Sequence, residues 1–136
     1  MRLRSLSFAV AALASFQTVC AYSQTWTQTS APTNYWYALA SSADGHTLVA
    51  AVGGGGGQGG PIFTSTNSGA TWTPADGAHT TYRASVASSA DGTRLWAATW
   101  DPIHNGGAVY FSTNSGATWN GGAGGGGGVG IASSAD

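Results

Sequence analysis

The sequence predicts an all-β fold built from repeated units of four short antiparallel strands, and three observations carry that prediction. The octapeptide Ser65-Thr66-Asn67-Ser68-Gly69-Ala70-Thr71-Trp72 recurs unchanged as Ser112-Thr113-Asn114-Ser115-Gly116-Ala117-Thr118-Trp119, 47 residues on. The block Ser41-Ser42-Ala43-Asp44-Gly45 returns at the same offset as Ser88-Ser89-Ala90-Asp91-Gly92 and begins again at Ser133-Ser134-Ala135-Asp136. Between these blocks the chain shows period-two alternation or turn residues. A fixed repeat of this length marks stacked units that bury their faces against one another.

Each element follows from the alignment of the units. The first strand ends at Tyr37-Ala38-Leu39-Ala40, matched by Ala84-Ser85-Val86-Ala87 and by Val129-Gly130-Ile131-Ala132. Leu39, Val86 and Ile131 share one register and Ala40, Ala87 and Ala132 the other, so a branched side chain and a methyl lie on opposite faces. Asp-Gly then signals a tight hairpin. The second strand is Thr47–Val52, matched by Arg94–Thr99, and a variable loop leads to the third, Pro61–Thr64, matched by Ala108–Phe111. The Asn-Ser-Gly turn opens into a short fourth strand, Ala70–Thr73, matched by Ala117–Trp119. Four such strands in about 45–50 residues match one blade of a β-propeller.

The ends of the chain fit the same scheme. Arg2 and Arg4 followed by the apolar run Leu6–Phe16 and the small-residue sites around Ala21 and Ser23 read as a signal peptide over residues 1–23, hence a secreted or periplasmic protein. Residues 24–136 carry the repeats: a partial unit at 24–40, blade units at about 34–73 and 81–120, and a truncated unit at 127–136. Thr25-Trp26-Thr27, 46 residues before Trp72, reads as a lone fourth strand of the kind that closes a propeller ring. A ring of six to eight blades needs roughly 280–380 residues, so the sequence predicts about two complete blades plus partial ones, a fragment of a larger propeller.

Composition narrows the function classes. Cys20 is the single cysteine, and cleavage after it leaves no thiol for disulfides, catalysis or metal binding. Beyond residue 23 there is no lysine and no glutamate, and two arginines stand against five aspartates. Without a basic patch to neutralise phosphates, nucleic acid is not an expected partner. No second apolar stretch is long enough to cross a membrane as a helix, so no membrane partner is expected after signal cleavage. The tryptophans at 26, 36, 72, 96, 100 and 119 each offer roughly 150–250 Å² of buriable surface, which sets the chain apart from a disordered Gly/Ser-rich segment.

Ser65, Asn67, Gly69, Thr71 and Trp72, and their copies Ser112, Asn114, Gly116, Thr118 and Trp119, resemble the Asp-box or BNR repeat, Ser-x-Asp-x-Gly-x-Thr-Trp. Asparagine stands where that pattern has aspartate. The resemblance is to sialidase-superfamily propellers, and most of all to uncharacterised secreted bacterial propeller proteins. It implies a structural role for these ten residues, on the hairpin between third and fourth strands and away from any active site. The physical logic is local: an Asx side chain accepts from backbone N–H groups two residues on, glycine admits a positive φ, and tryptophan covers the turn with its N–H turned to a carbonyl.

Candidates for chemistry are the polar residues outside the repeated blocks. Asp76, His79, Tyr82 and Arg83 come from the connection between blades, and Trp100, Asp101, His104 and Asn105 from the loop between second and third strands. Both connections open on the propeller face where ligands bind. An aspartate and a histidine three residues apart can act as base and partner or as metal ligands. The plainer reading is a solvated loop in which Asp101-Pro102 makes a turn. The repeated Asp44, Asp91 and Asp136 are assigned to turn hydrogen bonding. The glycine runs at 53–57 and 124–128 satisfy a nucleotide-loop pattern trivially, with no helix to follow, and read as flexible loops. A sialidase's arginine triad and tyrosine–glutamate pair cannot be assembled from these residues. The expected function is therefore a secreted, non-catalytic binding or scaffold module without cofactor or metal, whose partner is a carbohydrate or another extracellular protein. The alternative is the N-terminal part of an exported glycoside hydrolase, sialidase-like or xyloglucanase-like, with its carboxylate partners on other blades.

Overall fold

The computed structural model describes residues 25–53, 59–80, 83–101, 106–124 and 130–134. All regular structure among them is β. Four strands, β1 (Trp36–Ser41), β2 (Leu48–Val52), β3 (Pro61–Ser65) and β4 (Thr73–His79), form one antiparallel meander. Another four, β5 (Arg83–Ser88), β6 (Leu95–Asp101), β7 (Gly106–Ser112) and β8 (Asn120–Gly124), form a second in the same order. The fold is the all-β arrangement expected of two successive propeller blades.

The core lies between the two sheets. Pairing in register puts Ala40 beside Val49, and Ala51 beside both Ala38 and Ile62, so these side chains share one face of the first sheet. Against them the second sheet brings Ala84, Val86, Leu95 and Ala97, with Tyr110 and Trp119 at the margin. Val49, Ile62 and Leu95 are fully buried, each worth about 1.5–3 kcal/mol of apolar transfer. The alanines between them let the sheets approach closely. Val86 is buried here, whereas Leu39 in the same register of the first unit is 67% exposed. Among the described residues, no second sheet lies on the face of the first sheet that carries Leu39.

The repeated turns also stack. The Ala43 N–H donates to the Ala90 carbonyl at 2.9 Å, joining the Ser-Ser-Ala-Asp-Gly turn of one unit to that of the next. Within each unit the same turn is tied to the octapeptide: Ser68 N–H donates to the His46 carbonyl and Ser115 N–H to the Thr93 carbonyl, both at 2.9 Å.

The fourth strands differ from expectation. They begin at Thr73 and Asn120, after the tryptophans rather than before them, and the sheets run through His79 and Gly124. The cause is the turn itself. The Thr71 N–H is committed to Asn67 Oδ1 at 2.8 Å, so the chain stays in the turn through Trp72. β4 then buries Ala75 and Ala78 with Gly77 at φ +78° between them, a local irregularity that breaks period-two alternation. β8, Asn-Gly-Gly-Ala-Gly, has almost no intrinsic strand preference. Its place is set by β7, where Tyr110 pairs with Gly121 and lays its ring across the spot a Cβ there would need.

At the N-terminus the expected lone strand is absent: residues 25–29 are irregular and Trp26 is 93% exposed. The segment nonetheless rests on the first octapeptide, with Ser30 Oγ donating to the Ala70 carbonyl at 2.5 Å. In the truncated unit, Gly130–Ser134 forms no strand but lies along β5, the Ile131 N–H reaching Ser85 Oγ at 3.3 Å. The signal peptide, Val129, Ala135, Asp136 and the glycines at 54–57 and 125–128 lie outside the described residues.

Candidate functional site

The two octapeptides fold into the same hydrogen-bonded turn. Ser68 and Gly69 sit at φ +56° and +83°, and the Ala70 N–H closes on the Asn67 carbonyl at 3.1 Å, the pattern of a mirror-image β-turn. Ser65 Oγ donates to Asn67 Oδ1 at 2.9 Å and accepts from the Gly69 N–H at 2.9 Å. Asn67 Oδ1 accepts from the N–H four residues on, Thr71, rather than two residues on as expected. Its amide group then donates to Thr71 Oγ1 at 2.8 Å, a bond that an aspartate would reverse by accepting from the hydroxyl. Ser112, Asn114, Gly116 and Thr118 repeat the set, each bond within about 0.1 Å of its counterpart.

The tryptophans that follow are half-buried, and here a second expectation fails. Nε1 of Trp72 and of Trp119 is buried without a hydrogen-bond partner. The ring of Trp72 instead meets Trp36 at 6.1 Å, and Trp36 packs edge-on against Phe63 at 5.4 Å. The indoles are placed by apolar and ring contact, which leaves the N–H without an acceptor in reach.

The expected two-residue Asx pattern is found at the other repeated turn. Asp44 Oδ1 accepts from Ser42 Oγ at 2.6 Å and from the His46 N–H at 2.9 Å. Asp91 does the same with Ser89 Oγ and the Thr93 N–H, and gains the Thr93 hydroxyl as well. The donated Ser42 hydroxyl and the His46 N–H hold the Asp44 carboxyl below the usual range. The Ser89 hydroxyl, then the Thr93 N–H and hydroxyl, bring Asp91 down to about 2. A carboxyl whose pKa is lower folded than unfolded stabilises the fold above its unfolded value and loses that contribution as pH falls through the folded value. Thermal unfolding monitored from about pH 4 to pH 2 should therefore show a decline in melting temperature that Asp91→Asn flattens. An unchanged slope in Asp91→Asn would assign the decline to other groups.

The candidate ligand residues are strand residues where the sequence suggested loops. Asp76 and His79 lie on β4, Arg83 opens β5, and Trp100 and Asp101 close β6. Tyr82, His104 and Asn105 are outside the described residues. Arg83 pairs with Trp100 across β5–β6, and its guanidinium stands over the indole at 5.9 Å from the ring centroid. Asp101 pairs with Gly106 at the adjoining end of β6–β7, and His79 with Pro61 at the corresponding end of the first sheet. Asp76 lies three residues before His79 on β4. It lines a cleft of about 270 Å³ between Thr64, Thr73 and Pro74 of the first sheet and Asn114, Ser115 and Gly116 of the second octapeptide. Among the described residues no three His, Cys, Asp or Glu side chains gather closely enough to hold a metal ion.

Thr80 escaped the sequence reading. It is 3% exposed, its N–H donates to the Gly60 carbonyl at 2.8 Å, and its hydroxyl donates to the Val52 carbonyl while accepting from the Gly60 N–H at 3.0 Å. It thereby clamps the ends of β2 and β3 at the same edge as His79. A single threonine beside Thr81 carries no pattern that marks it in advance.

No family model and no curated protein matches the chain. Among solved structures, the crystal structure of a Niastella koreensis GH74 enzyme is similar to it, with 25% sequence identity and a TM-score of 0.47. The match covers 68% of this chain and 12% of that one, so the chain spans about an eighth of the length of that enzyme.

Proposed function

We propose that the chain is part of an exported Asp-box propeller and acts as a non-catalytic binding or scaffold module. The observation that carries this reading is the pair Arg83 and Trp100, where a guanidinium stands over an indole at the end of the β5–β6 ladder, with Asp101 the next residue of β6. An aromatic face with cationic and anionic neighbours suits the apolar face and hydroxyls of a sugar ring, or the side chains of an extracellular protein. The repeated polar residues support the same reading, because Asp44, Asp91, Asn67 and Asn114 are all engaged in turn hydrogen bonds. The leader-like residues 1–23 support export.

The test is a binding screen of the full chain against soluble oligosaccharides and extracellular protein fractions. Trp100→Ala and Arg83→Ala should each weaken a captured ligand by about tenfold or more, roughly the worth of one lost aromatic or charge-assisted contact. Equal binding by both variants would remove this edge from the function. The alternative, the N-terminal part of an exported glycoside hydrolase, is separated by turnover: sustained cleavage of β-glucan or a sialoside by the full chain would replace the scaffold reading with the hydrolase.

A further inference from the structure

The chain contains the same tripeptide three times, as Ala43-Asp44-Gly45, Ala75-Asp76-Gly77 and Ala90-Asp91-Gly92. An aspartate followed by glycine is open to attack on its own carboxyl by the next backbone nitrogen, because glycine has no side chain to block the approach. All three aspartates are exposed, so access of water does not separate them. Their partners do. Asp44 Oδ1 accepts from Ser42 Oγ and the His46 N–H, while the Gly45 N–H is bound to the Ser42 carbonyl at 3.1 Å. Asp91 accepts from Ser89 Oγ and from the N–H and hydroxyl of Thr93, while the Gly92 N–H is bound to the Ser89 carbonyl at 3.0 Å. The donors that hold these two carboxyls below the usual range keep them ionised, the less electrophilic form.

No described residue hydrogen-bonds the Asp76 carboxylate, which lines the cleft beside Asn114 and Ser115. Pro61 of β3 pairs with His79 and Phe63 with Pro74, so the single residue Ile62 stands against four of β4, Ala75–Ala78. Ala75 and Ala78 are buried and anchor this bulge at both ends. Asp76 and Gly77 are exposed between them, with Gly77 at φ +78° and no atom within 4 Å of where a Cβ would stand. We infer that Asp76 is a site of spontaneous isoaspartate formation. The Gly77 nitrogen attacks Asp76 Cγ and a bond forms between them. The hydroxyl of the protonated carboxyl leaves with the nitrogen's proton as water, closing a five-membered imide. Water then adds at the Asp76 backbone carbonyl carbon and breaks its bond to nitrogen. The backbone now runs through Cβ and Cγ, one methylene longer, and the freed carboxylate hangs from Cα. One water is lost and one regained, so the mass is unchanged. The inference goes beyond the binding reading above and does not depend on it.

The test is to hold the full chain folded at near-neutral pH for several weeks, digest it, and follow the three tripeptides by electron-transfer mass spectrometry, which tells isoaspartate from aspartate at equal mass. Isoaspartate should build up at Asp76 about tenfold or more faster than at Asp44 or Asp91, each of which must first give up at least two hydrogen bonds. Deamidation of Asn120, which also precedes a glycine, changes the mass and is not confused with this reaction. In a parallel sample unfolded in urea the three rates should converge, because the tripeptides are identical. The comparison needs no variant, so it does not rest on a substituted chain folding. Equal rates at the three positions of the folded chain overturn the inference, and so does a folded chain that keeps Asp76 unconverted while the unfolded one isomerises. A lead of Asp76 that persists in urea overturns it too, since the cause would then be the flanking sequence and not the bulge.

Discussion

Gly92→Ala should destabilise the chain far more than Gly45→Ala, although the two glycines occupy the same position of the repeated turn. Both sit at φ +71°, so each alanine carries the same backbone cost, about 1–2 kcal/mol. Around Gly45 no atom lies within 4 Å of where a Cβ would stand. At Gly92 it would fall 2.6 Å from Thr47 Cβ and 3.0 Å from Ser42 Cβ, atoms that cannot swing aside because they belong to the stacked turn of the first unit. Forcing the turns apart adds roughly 1–3 kcal/mol of overpacking. Gly116 and Gly69 form a second matched pair, with a Cβ 2.5 Å from Thr64 at the former and 3.2 Å from Thr29 Cγ2 of the irregular N-terminal segment at the latter. Urea unfolding of the four alanine variants should rank Gly92 and Gly116 as costlier than Gly45 and Gly69. Equal losses within each pair would show that the sheets do not stack through these turns.

The tryptophans provide the other large effect, and their sequence identity hides an asymmetry. Trp119 packs against the core between the sheets, whereas Trp72 borders an open groove of the first sheet. Trp119→Ala should cost about 3–5 kcal/mol, the usual range for an aromatic removed from a core. Trp72→Ala should cost less, because solvent already reaches one side of its ring and the cavity it leaves opens to water. Denaturant unfolding of the two variants under conditions where the chain is monomeric checks this. Equal losses would mean that Trp72 is as fully packed as Trp119 and that its ring does not border a groove open to water.

What could be read from the residues alone is what local chemistry fixes. Asp44-Gly45 and Asp91-Gly92 specify their hairpins, and the shared register of Leu39 and Val86 specifies a strand, so β1 to β3 and β5 to β7 lie within two residues of expectation at nearly every end. The fourth strands were not legible in place. β4 and β8 are held by their partner strands and carry proline, glycine and aspartate that argue against a strand in isolation. The candidate site suffered from that shift, since moving the strand start from Ala70 to Thr73 carries Asp76 and His79 out of a loop and onto β4. Arg83 and Trp100 were both named from the sequence, but their pairing rests on the β5–β6 register, which no property of either residue announces. The unpartnered indole N–H groups follow from packing that is non-local, and turn chemistry could not foretell them.

The hydrogen bond from Ala43 to Ala90 has a mechanical consequence. Apolar contact between two sheets has no preferred angle or offset along the strands, so faces of alanine and valine can glide over one another at little cost. A backbone hydrogen bond is directional and lost within about an ångström of displacement. Placed at one rim, where the repeated turns touch, it works as a detent: the sheets can flex apart at the opposite rim, yet the pitch from one unit to the next is held at a single setting. Any further unit bearing the same Ser-Ser-Ala-Asp turn, bonded to the second as the second is to the first, would inherit that pitch without any side chain to encode it.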